Sequence, residues 1–205
     1  MTLAKRARQL NLRFPARHLP ALLMLTDRER IPDPLAAARL LPPASAVVLR
    51  DYDARDRLAL AHRLARLCRR RRLLLLIGAD AGLAARLAAD GLHLPEALGL
   101  SARRWRRARP RWLITVAAHS EAALWRAWRS GAHAAVLSPV FATASHPGAR
   151  PLGAVRLAAL TRRAPLPVYA LGGIDSTSAR RLAGTGVHGL AAIGGLADPA
   201  PRGRR

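Results

Sequence analysis

Short apolar runs recur along the chain at intervals of roughly 20–30 residues, each followed by a longer Ala/Leu/Arg segment. They fall at 21–26, 46–49, 73–77, 91–94, 112–118, 134–137, 167–171 and 187–193. Within each run the apolar residues are continuous, whereas a strand with one wet face alternates. The runs therefore predict strands covered on both faces, as in a parallel sheet.

The intervening segments carry helix signals. Asp33-Pro34 offers an N-cap followed by a proline, which the first helical turn tolerates. Further helices are expected over 53–71, 80–89, 101–109, 120–130, 155–163 and 175–183. Gly131 follows one of them as a stop residue. Eight strands alternating with helices predict an α/β fold, a compact (β/α)8 barrel; an open doubly wound sheet is the alternative. The chain has 205 residues, and such barrels typically use about 250. Only twelve Pro- and Gly-rich residues follow Ile193, so the last helix is expected to be truncated. The expected organisation is a basic N-terminal extension over 1–20, a barrel over 21–196 and a basic tail over 197–205.

Charge narrows the partners. There are 35 basic and 12 acidic side chains, giving +23, and every basic residue but Lys5 is arginine. Such a surface attracts phosphates. Nucleic acid is the weaker expectation, because its binders interleave aromatic residues with the charge and only 4% of this chain is aromatic. Trp105 and Trp112 do flank one Arg run. A hydrophobic content of 51% excludes a disordered chain. The single cysteine, Cys68, excludes a disulfide framework and a Cys-based zinc site, and fits a reducing cytoplasm. No apolar run approaches the roughly 20 residues of a membrane span. The first 20 residues lack the apolar segment of a secretory signal and read as a short basic helix.

Two glycine clusters mark a candidate site. Gly172-Gly173 follows the seventh apolar run and Gly194-Gly195 the eighth. Loops at those two positions of a barrel often cradle phosphate, helped by a helix N-terminus such as the one expected at 175–178. The stretch from Gly184 to Gly189 matches G-x-G-x-x-G, but it leaves a helix and enters a strand, the reverse of a dinucleotide fingerprint. Residues 138–153 form a connection of about 15 residues, long enough to suggest a polar lid. It holds Thr143, Ser145, His146 and Arg150.

These pieces carry a resemblance. Leu25-Thr26-Asp27-Arg28, Leu49-Arg50-Asp51, Ala89 to Leu94, Val116 to Ser120, the 138–153 loop, Leu171 to Ile174 and Ala191 to Gly194 occur in one order. That order resembles the thiamine phosphate synthase/TenI superfamily over roughly residues 21–196. The resemblance implies a role in thiamin biosynthesis. Its synthases condense hydroxymethylpyrimidine diphosphate with thiazole phosphate to thiamine phosphate and diphosphate, assisted by Mg2+. Its tautomerases move a proton on thiazole phosphate carboxylate. A non-catalytic binder of phosphorylated thiamin precursors is a third possibility. The implied partners are small phosphorylated thiazoles and pyrimidines, and a homo-oligomer is compatible with Trp125 and Trp128.

The implied site is only half kept. Gly172, Gly173, Ile193 and Gly194 match the phosphate cup, Thr143 and Ser145 the loop hydroxyls, and Arg50 the diphosphate arginine. Val48 and Tyr52 stand where the synthases have Gln and Lys. Gly78-Ala79 replaces an Asn-Asp pair, with Asp80 one place late; the second metal carboxylate falls at Leu98, near Glu96. Asp80 and Glu96 are thus the only candidates for Mg2+. The loop lysine is His146, and the tautomerase histidine falls at Pro139. His146 and His119 become the acid/base candidates. His93 and Cys68 are expected to be structural and inert.

Overall fold

Each apolar run becomes a strand that pairs in parallel with its neighbours in sequence. These are β1 (Leu22–Leu25), β2 (Ala46–Leu49), β3 (Leu74–Gly78), β4 (Gly91–Leu94), β5 (Leu113–Ala118), β6 (Ala134–Leu137), β7 (Val168–Ala170) and β8 (Gly189–Ala192). Leu22 to Met24 pairs with Leu190 to Ala192, so β8 closes onto β1 and the sheet is a complete barrel. The open-sheet alternative is excluded. The structure is a computed structural model and describes residues 2–11, 19–143, 148 and 150–193.

Closure explains why the runs do not alternate. One set of side chains points inward, including Leu23, Leu25, Val48, Leu76, Val136 and Tyr169. The other set, including Leu22, Met24, Val47, Leu75 and Leu137, packs under the outer helices. Both faces are dry, so both sets are apolar. Tyr169 is the largest inward side chain, and its hydroxyl donates to the Pro20 carbonyl at 2.5 Å. That bond spares a buried polar group the cost of desolvation.

The outer ring comprises α2 (Pro34–Arg39), α3 (Arg57–Arg71), α4 (Ala81–Arg86), α5 (Ala102–Ala108), α6 (Glu121–Arg129) and α7 (Gly153–Arg163), preceded in the chain by α1 (Leu3–Asn11). Asp33 caps α2 as expected: its Oδ1 accepts the N–H groups of Leu35 and Ala36 at 3.0 and 2.9 Å. Two expected helices are shorter than their pattern. The 53–71 segment is helical only from Arg57, and 80–89 only from Ala81 to Arg86. A third is corrected outright, because 175–183 forms only a 3-10 turn over Ser178–Leu182. Its N–H groups bond three residues back, Arg180 to Thr177 and Ala183 to Arg180, and positive-φ Gly184 stops it at once. The expected truncation of the last helix concerns residues outside those described.

Helix α1 packs against β8, β1 and the 3-10 turn. Leu3, Ala7 and Leu10 form its buried stripe and join the outer core with Leu22 and Leu190. It covers the outer face of the seam between β8 and β1. The Arg run at 103–111 is likewise tied to packing. Trp112 is buried, Trp105 lies 6.4 Å from it, and Arg104 and Arg109 cover the two rings at 4.9 and 5.5 Å. Its aromatic residues therefore serve the core. Among the described residues no helix is long and apolar enough to cross a membrane.

Because α1 supplies part of the core, Leu10→Ala should cost about 2–4 kcal/mol, the range for truncating a buried leucine. Urea denaturation checks this; an unchanged midpoint would show that α1 does not contribute to barrel stability.

Candidate functional site

The C-terminal ends of the strands form one mouth, and in barrels this is the end that carries chemistry. On the β7 side, Gly172 and Gly173 have φ of +99° and +61°. A Cβ on Gly173 would stand 2.4 Å from the Ala142 carbonyl oxygen and 2.8 Å from the Phe141 Cβ. Glycine is needed there because the loop after β6 presses against it. The two loops are stitched together: Val140 donates to the Leu171 carbonyl and Phe141 to that of Gly172, at 2.9 and 3.0 Å. The N–H groups of Gly172 and Gly173 find no acceptor among the described residues. Consecutive N–H groups in positive-φ glycines can form an anion-binding concavity. The expected help from a helix N-terminus is absent. Asp175 Oδ1 accepts the N–H groups of Thr177 and Ser178 at 2.8 and 2.7 Å, and these bonds hold its carboxyl below the ordinary range.

Ile193 follows β8 and, with Leu171, is partly buried against the inner core. Thr143 is half-buried at the edge of the loop after β6 and is engaged with a partner. Ser145, His146 and Gly194 lie outside the described residues.

On the β4–β6 side, the His119 N–H donates to Glu96 Oε2 at 3.1 Å, and its Nδ1 lies 2.9 Å from the Ser138 carbonyl oxygen. A carbonyl only accepts, so Nδ1 carries the proton and the neutral ring keeps its lone pair on Nε2. His119 thereby stands beside Ser138-Pro139. Deeper in the barrel, His93 Nδ1 meets Thr115 Oγ1 at 2.9 Å. Burial, assisted by the charge of Arg50, pushes His93 down to about 4, so it is neutral at physiological pH.

On the β2–β3 side, Thr26 Oγ1 accepts the Arg50 N–H at 3.0 Å and fixes the backbone where β2 ends. The Arg50 guanidinium makes no ion pair among the described residues. Asp51 Oδ1 accepts the Arg28 N–H at 3.1 Å. Arg57, from the first turn of α3, reaches back to donate to the Gly78 carbonyl at 2.7 Å and lies 3.4 Å from Asp80 Oδ2. Arg57 was not foreseen from the sequence. One signal could have found it: a cation in the first turn of a helix opposes the helix dipole, and this one has no acidic residue in that turn.

The two candidate metal carboxylates do not fit a divalent cation. Asp80 Oδ1 caps α4 by accepting the Leu83 N–H at 2.8 Å, while Oδ2 faces Arg57. Glu96 Oε1 pairs with Arg126 at 2.5 Å and Oε2 accepts from His119. No group of three or more His, Cys, Asp or Glu side chains converges among the described residues. A hard cation needs free oxygens, and each of these four already faces a donor, Asp80 Oδ2 most loosely at 3.4 Å.

A family model described as thiamine monophosphate synthase matches residues 24–196. The chain belongs to this family. A thiamine-phosphate synthase from Chromobacterium violaceum is 37% identical over 170 residues, covering 80% of each chain. One from Chlorobium luteolum is 33% identical over 182 residues, covering 86% of this chain and 84% of the relative. Among solved structures, thiamine phosphate pyrophosphorylase from Pyrococcus furiosus superposes with a TM-score of 0.72 at 27% identity, covering 86% of each chain. The mouth just described is thus the C-terminal end of a thiamine monophosphate synthase family barrel.

The buried His93 gives this barrel a pH signature. Above pH 6.5, the ordinary value, His93 is neutral folded or unfolded and adds no pH dependence. As pH falls from 6.5 to about 4, the unfolded chain binds a proton that the folded one refuses. Stability is then lost at up to about 1.4 kcal/mol per pH unit. Denaturation of wild type and His93→Asn across that window should show a flatter slope in the variant; equal slopes would mean that His93 protonates freely in the folded state.

Proposed function

We propose that the chain is a transferase of thiamin biosynthesis that joins hydroxymethylpyrimidine diphosphate to thiazole phosphate. The observation that carries this is a division of the mouth into two anion-ready sides: the Arg50 guanidinium at the end of β2 and the N–H groups of Gly172 and Gly173 past β7, none of which finds a partner among the described residues. Two such sides suit two phosphorylated ligands held face to face. Their membership of a thiamine monophosphate synthase family supports the same reading.

In that arrangement the glycine loop holds the phosphate of the thiazole, and Thr143, with Ser145 in the same loop, orients its ring. Arg50 holds the diphosphate of the pyrimidine. The bond between the pyrimidine methylene carbon and the diphosphate oxygen breaks, and its electrons leave on the oxygen. The thiazole nitrogen lone pair forms the new C–N bond and becomes the thiazolium nitrogen. No proton need move. The protein contributes by positioning the nitrogen close to the carbon and by stabilising charge on the departing diphosphate.

Incubation of the purified protein with both substrates should give thiamine phosphate and diphosphate in equal amounts, and Arg50→Ala should lower kcat/KM by about tenfold or more. No product with either EDTA or Mg2+ present would refute the reading.

A second reading rests on His119. Its Nδ1 is held on Ser138, the residue before Pro139, which leaves Nε2 for proton transfer on thiazole phosphate carboxylate. His119→Ala should then slow the tautomerisation by about 10²–10⁴-fold. An unchanged rate, or none in the wild type, removes this reading.

A further inference from the structure

We propose that Arg57 and Arg50 form a clamp for a diphosphate group that works without a divalent cation. This rests on the transferase reading for its ligand, but its observations are separate.

Arg57 is held at the β2–β3 corner of the mouth from three directions. It donates to the Gly78 carbonyl, approaches Asp80, and lies 5.8 Å above the centre of the Tyr52 ring. Its side chain is only 14% exposed, so it keeps one position. Yet it is under-neutralised. The ion pair with Asp80 spans 3.4 Å, longer than the roughly 2.7–2.9 Å of a well-formed charge-assisted bond. Its Nε is buried and has no acceptor. A buried donor without a partner is costly and calls for a ligand or water.

The corner is built around this guanidinium. A Cβ at Gly78 would stand 2.7 Å from the Leu49 carbonyl oxygen and 2.9 Å from Tyr52 Cε1. The Tyr52 ring therefore occupies the room that a side chain at 78 would need. Burial raises the Tyr52 hydroxyl above its ordinary value, and the charges of Arg50 and Arg57 both oppose that shift. Tyr52 thus sits under Arg57 and two residues beyond Arg50, which ends the β2 side of the rim.

The nearby carboxylates cancel that charge only in part. Asp56 precedes α3 but makes no capping bond and pairs with Arg28 at 2.5 Å. Asp51 Oδ1 accepts from the Arg28 backbone while its Oδ2 is buried with no hydrogen-bond partner among the described residues, and Asp80 divides itself between the Leu83 N–H and Arg57. The start of α3 adds its own partial positive charge. A diphosphate, with several negative oxygens on two adjacent phosphorus atoms, suits a pair of guanidiniums, one held at Arg57 and one unpaired among the described residues at Arg50, better than a single phosphate does. The charge that a metal would neutralise is met here by arginine.

Calorimetry with inorganic diphosphate tests the clamp without requiring turnover. Binding should persist in EDTA and change less than about twofold when Mg2+ is added. Arg57→Gln should weaken it about tenfold or more, and Arg57→Lys less, with circular dichroism confirming that each variant is folded. Asp80→Asn separates the two accounts by sign: asparagine still caps α4, so freeing Arg57 should preserve or tighten binding, whereas a metal-ligand Asp80 requires a loss. Binding only in Mg2+, no binding in either condition, an unaffected Arg57→Gln, or a loss in Asp80→Asn would overturn the clamp. Metal-free diphosphate binding without thiamine phosphate formation would keep the clamp and refute the transferase. Product formation with strictly Mg2+-dependent binding would do the reverse.

Discussion

Everything in this molecule depends on β8 meeting β1. Until that pairing forms, Leu22 to Met24 and Leu190 to Ala192 have an unpaired edge, and the inward side chains have no opposite wall. Closure buries Leu23, Leu25, Val48 and Tyr169 in one interior and removes both sheet edges. The seam also needs cover on its outer face. Helix α1 supplies it through Leu3, Ala7 and Leu10. A segment whose sequence suggests a basic extension is thus part of the structure that makes the barrel possible.

A closed barrel dictates where chemistry can occur. The interior is filled by side chains, so no ligand enters along the axis. Functional groups are confined to the residues just past each strand. Arg50, Glu96, His119, Ser138, Gly172 and Ile193 all occupy such positions, and Gly78 ends β3 itself. Their backbone is fixed by strand pairing a residue or two away, as Thr26 fixes Arg50. What they touch is set by partners on other strands. Glu96 faces Arg126 and His119 because β4 and β5 are neighbours.

That difference explains what was legible in the sequence. Strand order and helix alternation are local patterns, and they appear directly as continuous apolar runs. The Gly172-Gly173 pair is also local, because its positive φ follows from the tight turn. The failed helix at 175–183 shows the limit of local reasoning. Its capping residues were visible, but Asp175, Thr177 and Ser178 close into a turn of their own before a helix can extend. Contacts between strands were not visible at all. Arg57 reaches Gly78 across 21 positions and Asp80 across 23, and no spacing rule connects them. The resemblance makes Asp80 and Glu96 metal candidates as neighbours of the family's carboxylate positions, whereas Asp80 caps its own helix and faces Arg57, and Glu96 faces Arg126 and His119.

The arginine excess takes on a different meaning in this light. Most guanidiniums lie on helix faces, where water and salt screen them and their contribution to stability is small. At the mouth screening is weaker, because Arg57 is largely buried. At the β2–β3 corner the barrel places the guanidinium of Arg57 against Asp80, a carboxylate that a metal-dependent site would keep free. The two arrangements exclude each other physically. A carboxylate paired with a guanidinium is a poor ligand for Mg2+, since a cation entering there must first displace an existing cation. A chain that retains Arg57 against Asp80 is therefore committed to neutralising anions with arginine at that corner, and its charge balance favours anionic ligands that arrive without a metal.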